Sequence, residues 1–534
     1  NNALSITATS LTLSGTLSSG TAGTTLLTAQ SGTTIGLGSG TGTFSLTDTE
    51  LGQITAGSLT IGDGTNGNIA VDGVSSGNTD QFGALTLNAT ASGSSVTFGT
   101  SDSTFQGLTV NAENGIALTS SLTTNGTTSF NSDSDGDGTG DFSISAGKTL
   151  TTNNNALTIT SNSMSFNSTG AITSGTAGTT LLTAQSGSTI GLGSGTGTFS
   201  LTDSELSQIT AGSLTVGNTS NGIIIVEGVS SSSFGALTLN SASSVTFSTT
   251  ASSFSSLTLD AGSGVGFGVG VTTTGNLSVT SGGAITDTGT LLVDGTSSFT
   301  TNVADQAITL DSTSSSFTST VSLNTIGTGD ATLISDNAVT LSTSTVGRDL
   351  NVTVDGGNSL NVTGKATAGG PINLSADDDI IFTAAGDLSA NGNISVKADD
   401  DSLADAGSGG ALTMEDGIVF KAGSGVLALS ADEDITLGRV ETSSASDTAV
   451  TLTSTSGGLV DGDNALPPEF TSLGADSTPW LDVDAANGRL VADVATGFGA
   501  KNAIETKVKS LDIANSTAGR VDIFEFDDLD IFKI

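Results

Sequence analysis

A short acidic stretch, "NSDSDGDGTGD" at residues 131–141, has the residue types and spacing of a divalent-cation site. Asp133, Asp135 and Asp137 occupy alternate positions, Gly138 follows them, and Asp141 comes four residues after Asp137. Calcium takes six to eight oxygen ligands, and loops with carboxylates at positions 1, 3 and 5 and glycine at position 6 supply them. We therefore expect Ca²⁺ as a cofactor at these four aspartates. Position 12 is Ile144, so the bidentate glutamate of an EF-hand is missing, and a solvated acidic turn is the alternative.

Three further acidic segments share the pattern apolar–x–apolar–x–Ala–Asp–acid–Asp. They read "INLSADDDI" at 372–380, "ISVKADDDS" at 394–402 and "LALSADEDI" at 427–435. Each predicts a strand that ends in an acidic corner. Stacked carboxylates repel one another unless cations or water intervene. A solvated edge and a line of cation sites both remain open.

Enzyme chemistry has few candidate groups in this chain. Histidine and cysteine are absent, which removes the usual acid–base and thiol groups. The aspartates fall in repeated segments rather than one singular cluster, although paired carboxylates can hydrolyse polysaccharides. The glycine-rich "GLGSGTG" at 36–42 precedes a strand, so it does not predict a nucleotide-binding loop. We expect no catalytic residues, and no cofactor other than a cation.

The strongly negative net charge limits the classes of molecule that the chain can bind. The 534 residues include 52 Asp and Glu against 12 Lys and Arg, for a formal net charge of −40. Phosphate binding needs clustered basic residues, so we expect no nucleic acid partner. Apolar runs are all too short to cross a membrane as a helix. Divalent cations, basic surfaces and cell-surface glycans are the partners left open, and the lack of cysteine fits a secreted, disulfide-free chain.

The chain is internally duplicated. Residues 19–67 and 174–222 align without a gap and share 42 of 49 positions. The duplication extends to residues 1–153 and 154–300 with small deletions, and divergent coils follow at 301–463 and 483–534. Between them, residues 464–482 carry Pro467, Pro468 and Trp480, which predict a protruding loop.

A shorter period inside each copy predicts the fold. The pattern small–x–Leu–Thr/Ser–apolar recurs every 20–26 residues, in alternating runs without a convincing helix. This period suits one turn of an all-β solenoid with parallel stacked strands. About 24 coils at about 4.8 Å each would form an elongated rod of about 115 Å. We expect these leucines to point into the core: Leu59, Leu85, Leu108, Leu214, Leu237, Leu257 and Leu277.

Two long phrases resemble the repeats of filamentous-haemagglutinin-like bacterial adhesins. They are "FSLTDTELGQITAGSLTIGDGTNGNIAVDGV" at 44–74 and "DSDGDGTGDFSISAGKTLTTNNNALTIT" at 133–160. The resemblance implies a right-handed parallel β-helix on the bacterial surface or in the medium. It favours a structural segment of a fibre, shaft or adhesin stalk. A binding module that engages a glycan or a host surface through corner loops is the alternative.

Both ends of the chain read as if the repeat continued. Asn1 aligns with an interior position of the second copy, and "RVDIFEFDDLDIFKI" at 520–534 ends in crowded apolar residues. We expect both ends to associate through exposed apolar surface, either with the rest of a longer chain or with neighbouring copies end to end.

Overall fold

The computed structural model describes residues 1–230, 233–383, 385–399, 410–462, 481–499 and 503–534. These residues form a parallel β-solenoid of about 23 turns with almost no helix, which confirms the predicted fold class. Two compact units divide the chain at residues 1–262 and 263–534. The handedness of the coil stays a prediction.

Strands of the first unit are short and separated by turns. In chain order, β1 to β29 are Leu4–Ala8, Leu17–Ser18, Gly23–Thr28, Ile35–Gly38, Phe44–Leu46, Ile54–Thr55, Ser58–Ile61, Ile69–Asp72, Ala84–Ala89, Val96–Phe98, Ser103–Phe105, Gly107–Ala112, Ile116–Leu118, Leu122–Thr124, Thr128–Asn131, Phe142–Ile144, Thr149–Thr151, Leu157–Ser161, Met164–Phe166, Ala171–Thr173, Gly178–Thr183, Ile190–Gly193, Phe199–Leu201, Ile209–Asn218, Ile224–Glu227, Phe234–Ser241, Ser244–Phe247, Ser252–Phe254 and Leu257–Ala261.

Strands of the second unit follow the same design. In chain order, β30 to β59 are Gly264–Phe267, Val271–Thr273, Leu277–Ser281, Ile285–Asp287, Leu291–Val293, Ser297–Thr301, Ile308–Leu310, Ser316–Phe317, Thr320–Asn324, Ala331–Ser335, Val339–Leu341, Ser344–Val346, Leu350–Val354, Leu360–Val362, Ala366–Ala368, Ile372–Ala376, Ile380–Phe382, Leu388–Ala390, Ile394–Ala398, Leu412–Met414, Val419–Lys421, Leu427–Ala431, Ile435–Leu437, Arg439–Glu441, Val450–Ser454, Leu459–Asp461, Val483–Val494, Ile504–Asn515, Ile523–Glu525 and Asp530–Lys533.

One coil consists of three strands joined by corners, and each strand pairs in parallel with its counterpart in the next coil. In the first unit β9, β10 and β11 make one such coil, and β12, β13 and β14 stack on them. Inward positions alternate with outward ones, as the buried–exposed pattern of β9 shows. Because each coil covers its neighbours, the core within each unit is a column of aliphatic and phenylalanine side chains.

The predicted core leucines lie in register along that column. Leu59 pairs with Leu85, and Leu85 with Leu108, while Leu214 pairs with Leu237 and Leu237 with Leu257. All seven predicted leucines are buried, with at most 1% of their surface exposed. The repeat period therefore predicted both the strand register and the direction of these side chains.

The most strongly duplicated segment contains a coil that is longer than the period predicts. Leu59 pairs with Thr24, which lies 35 residues earlier, and the same arrangement recurs in the second copy. The extra length holds a strand that returns beside β4 and a one-turn helix at Asp48–Leu51, repeated at Asp203–Leu206. A 3₁₀ turn spans Ser76–Asn78. Among the described residues, helix is confined to these short turns.

Each one-turn helix begins with a capping box. The Thr47 side chain accepts the backbone N–H of Glu50, and the Glu50 carboxylate accepts the backbone N–H of Thr47. Glu50 also accepts the backbone N–H of Leu13 at 2.9 Å, which ties the helix to the previous coil. Thr202 and Glu205 repeat the box in the second copy. These bonds satisfy the free N–H groups of a helix that is too short to be stable alone.

Candidate cation site and acidic corners

The acidic loop at 131–141 joins β15 to β16, and its first aspartate organises the loop. Asp133 is buried, and its carboxylate accepts the backbone N–H groups of Asp137 at 3.2 Å and Gly138 at 3.0 Å. Gly136 and Gly138 have φ angles of 71° and 91°, in the left-handed region that favours glycine. Burial, together with the neighbouring Asp135 charge, raises the pKa of Asp133.

The remaining aspartates of the loop separate into two groups. Asp135 and Asp137 are exposed, and Asp137 accepts the N–H and the hydroxyl of Thr139. Asp141 faces the following coil, where it accepts the hydroxyl of Ser163 at 2.7 Å and the amide of Asn162 at 3.2 Å. The structure thus brings Asp135 and Asp137 together and commits Asp141 to another contact.

A glutamate from the preceding coil completes the acidic group. One carboxylate oxygen each from Glu113, Asp135 and Asp137 lies within 4.8 Å of the other two. Two ligands of one Ca²⁺ ion can be separated by up to twice the Ca–O distance, which is about 5 Å. The spacing therefore fits three ligands of a single hard cation. Glu113 is buried and already accepts the backbone N–H of Gly93 at 2.6 Å, which fixes its position.

Sequence reasoning did not include Glu113. Its signal lies in the strand register, because Asn111 pairs with Asn131 and places Glu113 opposite Asp133 in the next coil. These two coils have different connecting loops, so the sequence does not show them as repeats that pair with each other. Only an alignment of neighbouring coils could have revealed this third carboxylate.

Acidic corners of the second unit are engaged in hydrogen bonds between coils. Asp378 accepts the Ser359 hydroxyl at 2.8 Å, and Asp377 accepts the backbone N–H of Gly357 at 3.2 Å. In the later segment Asp432 accepts the hydroxyls of Thr455 and Ser456. Residues 400–402 of the middle segment lie outside the described residues. Several of these carboxylates therefore have hydrogen-bonding partners in the neighbouring coil.

One contact between a side chain and the backbone recurs at the corners of the coils. At many corners an aspartate carboxylate accepts a backbone N–H of the following coil, at 2.6–3.1 Å; we call these residues the corner aspartates. In each of the following pairs the aspartate is the acceptor and the second residue is the backbone donor: Asp48 with Ser75, Asp72 with Ser101, Asp102 with Ser121, Asp203 with Ser230, Asp287 with Asp311, Asp305 with Thr328, Asp330 with Asp349, Asp379 with Ala411, Asp387 with Val419, Asp434 with Gly458, and Asp482 with Glu505.

These bonds alter the acidity of some corner aspartates. The backbone N–H of Ser101 lowers the pKa of Asp72, and the backbone N–H of Thr328 lowers the pKa of Asp305. A charged acceptor makes a stronger hydrogen bond than a neutral one. Corner aspartates of this kind therefore hold adjacent coils together best when they are ionised.

One corner aspartate, Asp287, has a raised pKa instead of a lowered one. Burial of Asp287 raises its pKa to about 6 against the opposing effect of two backbone N–H donors, and the nearby Asp311 charge adds a smaller increase. Its side chain is 3% exposed, and its Oδ2 atom is buried without a hydrogen-bond partner.

Apolar surface is exposed at the C-terminal strands, as the sequence predicts. Phe526, Ile531, Phe532 and Ile534 are 41–65% exposed. Phe532 lies under the Arg489 guanidinium, with 4.2 Å between the Arg489 Cζ atom and the ring centre. Association of the chain through this surface stays a prediction.

Comparison with known families gives one partial match. Residues 254–324 match a family described as "Repeats of unknown function (DUF5649)". The chain is a repeat-rich β-solenoid. Searches of curated proteins and of solved structures found no match. Within the part of the chain that the structure describes, no helix has the length and apolar character needed to span a membrane.

Proposed function

We propose that this chain is a structural segment of an extracellular bacterial fibre, shaft or adhesin stalk and has no catalytic role. The observation that carries the proposal is the repeated use of side chains between coils. Core leucines stack in register, and corner aspartates accept N–H groups of the next coil. Such contacts join each coil to its neighbours, so the number of coils can grow without a new kind of contact.

The repeat count provides a direct test of a shaft. A chain with one additional copy of residues 154–300, inserted after residue 300, gains about seven coils. At about 4.8 Å per coil, we expect particles in negative-stain electron micrographs to lengthen by about 30 Å at unchanged width. Particles that widen or become irregular instead would contradict the shaft. A matched chain that carries a flexible Gly/Ser insert of equal length controls for added mass.

A binding module remains the alternative function, with cell-surface glycans or a host surface as partner. The segment proposed to make the contact, residues 464–482, lies outside the described residues except for its last two. Deleting it distinguishes the two functions. Loss of binding to intact cells with unchanged circular dichroism supports the module, whereas unchanged binding contradicts a role for this segment. The shaft proposal also places the protein outside the cell, joined to the rest of a longer chain or to neighbouring copies end to end.

Calcium binding at the acidic loop is a second candidate function, which the juxtaposition of Glu113 with Asp135 and Asp137 favours. We propose that a Ca²⁺ ion bound by these carboxylates would fasten the loop to the preceding coil and neutralise their mutual repulsion. Asp133 then acts chiefly through the backbone of the loop, since its oxygens already accept two N–H groups.

Isothermal titration with Ca²⁺ tests the site residue by residue. We expect Glu113→Gln and Asp135→Asn each to weaken binding at least about tenfold, since each removes one charged ligand. Asp141→Asn is the matched control and should bind as the natural chain does, because this carboxylate contacts Ser163 and Asn162. Equal affinity in all four proteins would mean that the acidic surface binds ions diffusely.

A further inference from the structure

A polar groove lies over the second of the three faces in the first unit. It is open to solvent, with a volume of about 560 Å³, and its lining includes Thr34, Thr41, Thr43, Asn68, Ala70 and Thr97. Its floor carries small groups at outward positions of two adjacent strands, where Ala70 pairs with Thr97. On the other side Ala70 pairs with Gly36, which is buried under the backbone of the turn at 40–42.

The wall of the groove is closely packed against the strand beside it. It is formed by the glycine-rich turn that lets the chain return beside β4. A Cβ atom on Gly42 would lie 2.3 Å from the backbone nitrogen of Gly36, so the two backbone segments are in direct contact. The Thr43 N–H donates to the Thr34 hydroxyl at 3.2 Å and fixes the orientation of that side chain. Binding would therefore cost little ordering of the protein.

The lining groups are neutral and offer both donors and acceptors. Among the described residues that line the groove, none carries a charge. Asn68 is exposed, and the N–H of Ser95 donates to its Oδ1 atom at 3.0 Å, so the Nδ2 atom can act as a donor. Threonine hydroxyls can donate and accept at once. The Ala70 and threonine methyl groups provide small apolar contacts between them.

The internal duplication offers a natural comparison. In the second copy Ile223 and Ile225 stand where the first copy has Asn68 and Ala70. The corresponding backbone pairing is kept, since Gly191 pairs with Ile225 and Ile225 with Thr246. Gly195 is buried there, whereas its counterpart Gly40 is only half-buried. The same scaffold thus accepts a bulky, apolar floor, and the first copy instead keeps a small and polar one.

We propose that the groove over Asn68 and Ala70 binds a short neutral saccharide. Sugar hydroxyls match an uncharged surface that presents donors and acceptors together, and the sugar C–H face matches the methyl groups. Ions and nucleotides need charged partners that this lining does not contain. This activity goes beyond a structural role, and either one can hold without the other. In the absence of an aromatic ring among the described lining residues, we expect millimolar affinity.

Saturation-transfer NMR with the full chain tests the proposal. The probes are the neutral tetrasaccharides cellotetraose, maltotetraose, xylotetraose and mannotetraose. We expect transfer to at least one of them, unaffected by added salt because no charge takes part. The double variant Asn68→Ile/Ala70→Ile reproduces the second copy and should reduce binding at least about tenfold, since it fills the groove.

Two further variants decide where the sugar binds. Ile223→Asn/Ile225→Ala should create a second site and increase the saturation transfer at a given sugar concentration. Thr109→Ile changes an outward threonine on another face and should leave binding unchanged. Binding that survives the double variant, or the absence of transfer to all four sugars, would overturn the proposal. Circular dichroism of each variant separates loss of binding from loss of fold.

Discussion

The buried carboxyl group of Asp287 should make the free energy of unfolding depend on pH. Its Oδ1 atom accepts the backbone N–H groups of Asp311 at 2.8 Å and Ser312 at 3.2 Å, while Oδ2 is buried without a partner. Ionisation therefore places a negative charge in a site that solvates it incompletely and lies near a second carboxylate. Replacement of Asp287 by Asn keeps an oxygen acceptor for the two N–H groups and removes the charge.

The size and sign of the effect follow from the pKa. The folded value is about 6, against an ordinary value of 3.8. A difference of about 2 pKa units corresponds to about 3 kcal/mol, which is an upper bound. Since the folded pKa is raised, the native state binds the proton more tightly between about pH 4 and pH 6, and stability falls as pH rises through this window. Asp287→Asn should then be more stable than the natural chain by up to about 3 kcal/mol at pH 8 and similar at pH 4.

Urea denaturation followed by circular dichroism at several pH values measures this difference. The informative quantity is the shift in midpoint between variant and natural chain as pH changes. Asp305→Asn is the control with opposite sign, because the Thr328 N–H lowers the pKa of Asp305. Its ionised form stabilises the fold above about pH 4, so the variant should be the less stable protein at pH 8. If Asp287→Asn shows the same pH dependence as the natural chain, the burial argument is wrong.

Three other substitutions test the coil contacts. Asp72→Ala removes the acceptor of the Ser101 N–H and should cost about 1–2 kcal/mol at pH 7 and less at pH 3, as measured by urea denaturation. Gly42→Ala places a Cβ atom 2.3 Å from backbone and should lower the melting temperature, whereas Gly15→Ala meets nothing within 4 Å and should not; equal melting would refute the crowding. Phe130→Ala leaves a cavity in the core and should cost about 3–5 kcal/mol, and a loss below 1 kcal/mol would show that the column collapses around it.

Much of the fold was predictable because the solenoid repeats one simple rule. A leucine every 20–26 residues must face the core in each coil, and so Leu59, Leu85 and Leu108 had to stack. Long coils were harder to predict, since their extra residues fold back on themselves. The "TDTEL" phrase contains the Thr47 and Glu50 spacing of a capping box, yet one turn of helix leaves no periodic pattern.

The candidate site was only partly predictable, because its residues come from different coils. Asp133, Asp135 and Asp137 could be recognised from their spacing in one loop. Glu113 could not, since its proximity depends on how two unlike coils pair. The use of carboxylates as acceptors for the next coil was also hidden, because a corner aspartate looks like any solvated turn residue.

The hydrogen bonds of the corner aspartates all run in the same direction along the chain, and this direction affects how the chain folds while it is being synthesised. In each pair the carboxylate belongs to the earlier coil and the N–H to the later one, as Asp72 with Ser101 and Asp434 with Gly458 illustrate. A growing chain therefore presents unpaired corner aspartates as negatively charged acceptors at the edge of its last coil, although a few contacts, such as Asp377 with Gly357, run in the opposite direction. Two such growing edges repel each other, while the next segment of the same chain arrives with the matching donors at high local concentration. We expect each finished coil to template its own continuation and to discourage pairing between neighbouring nascent chains.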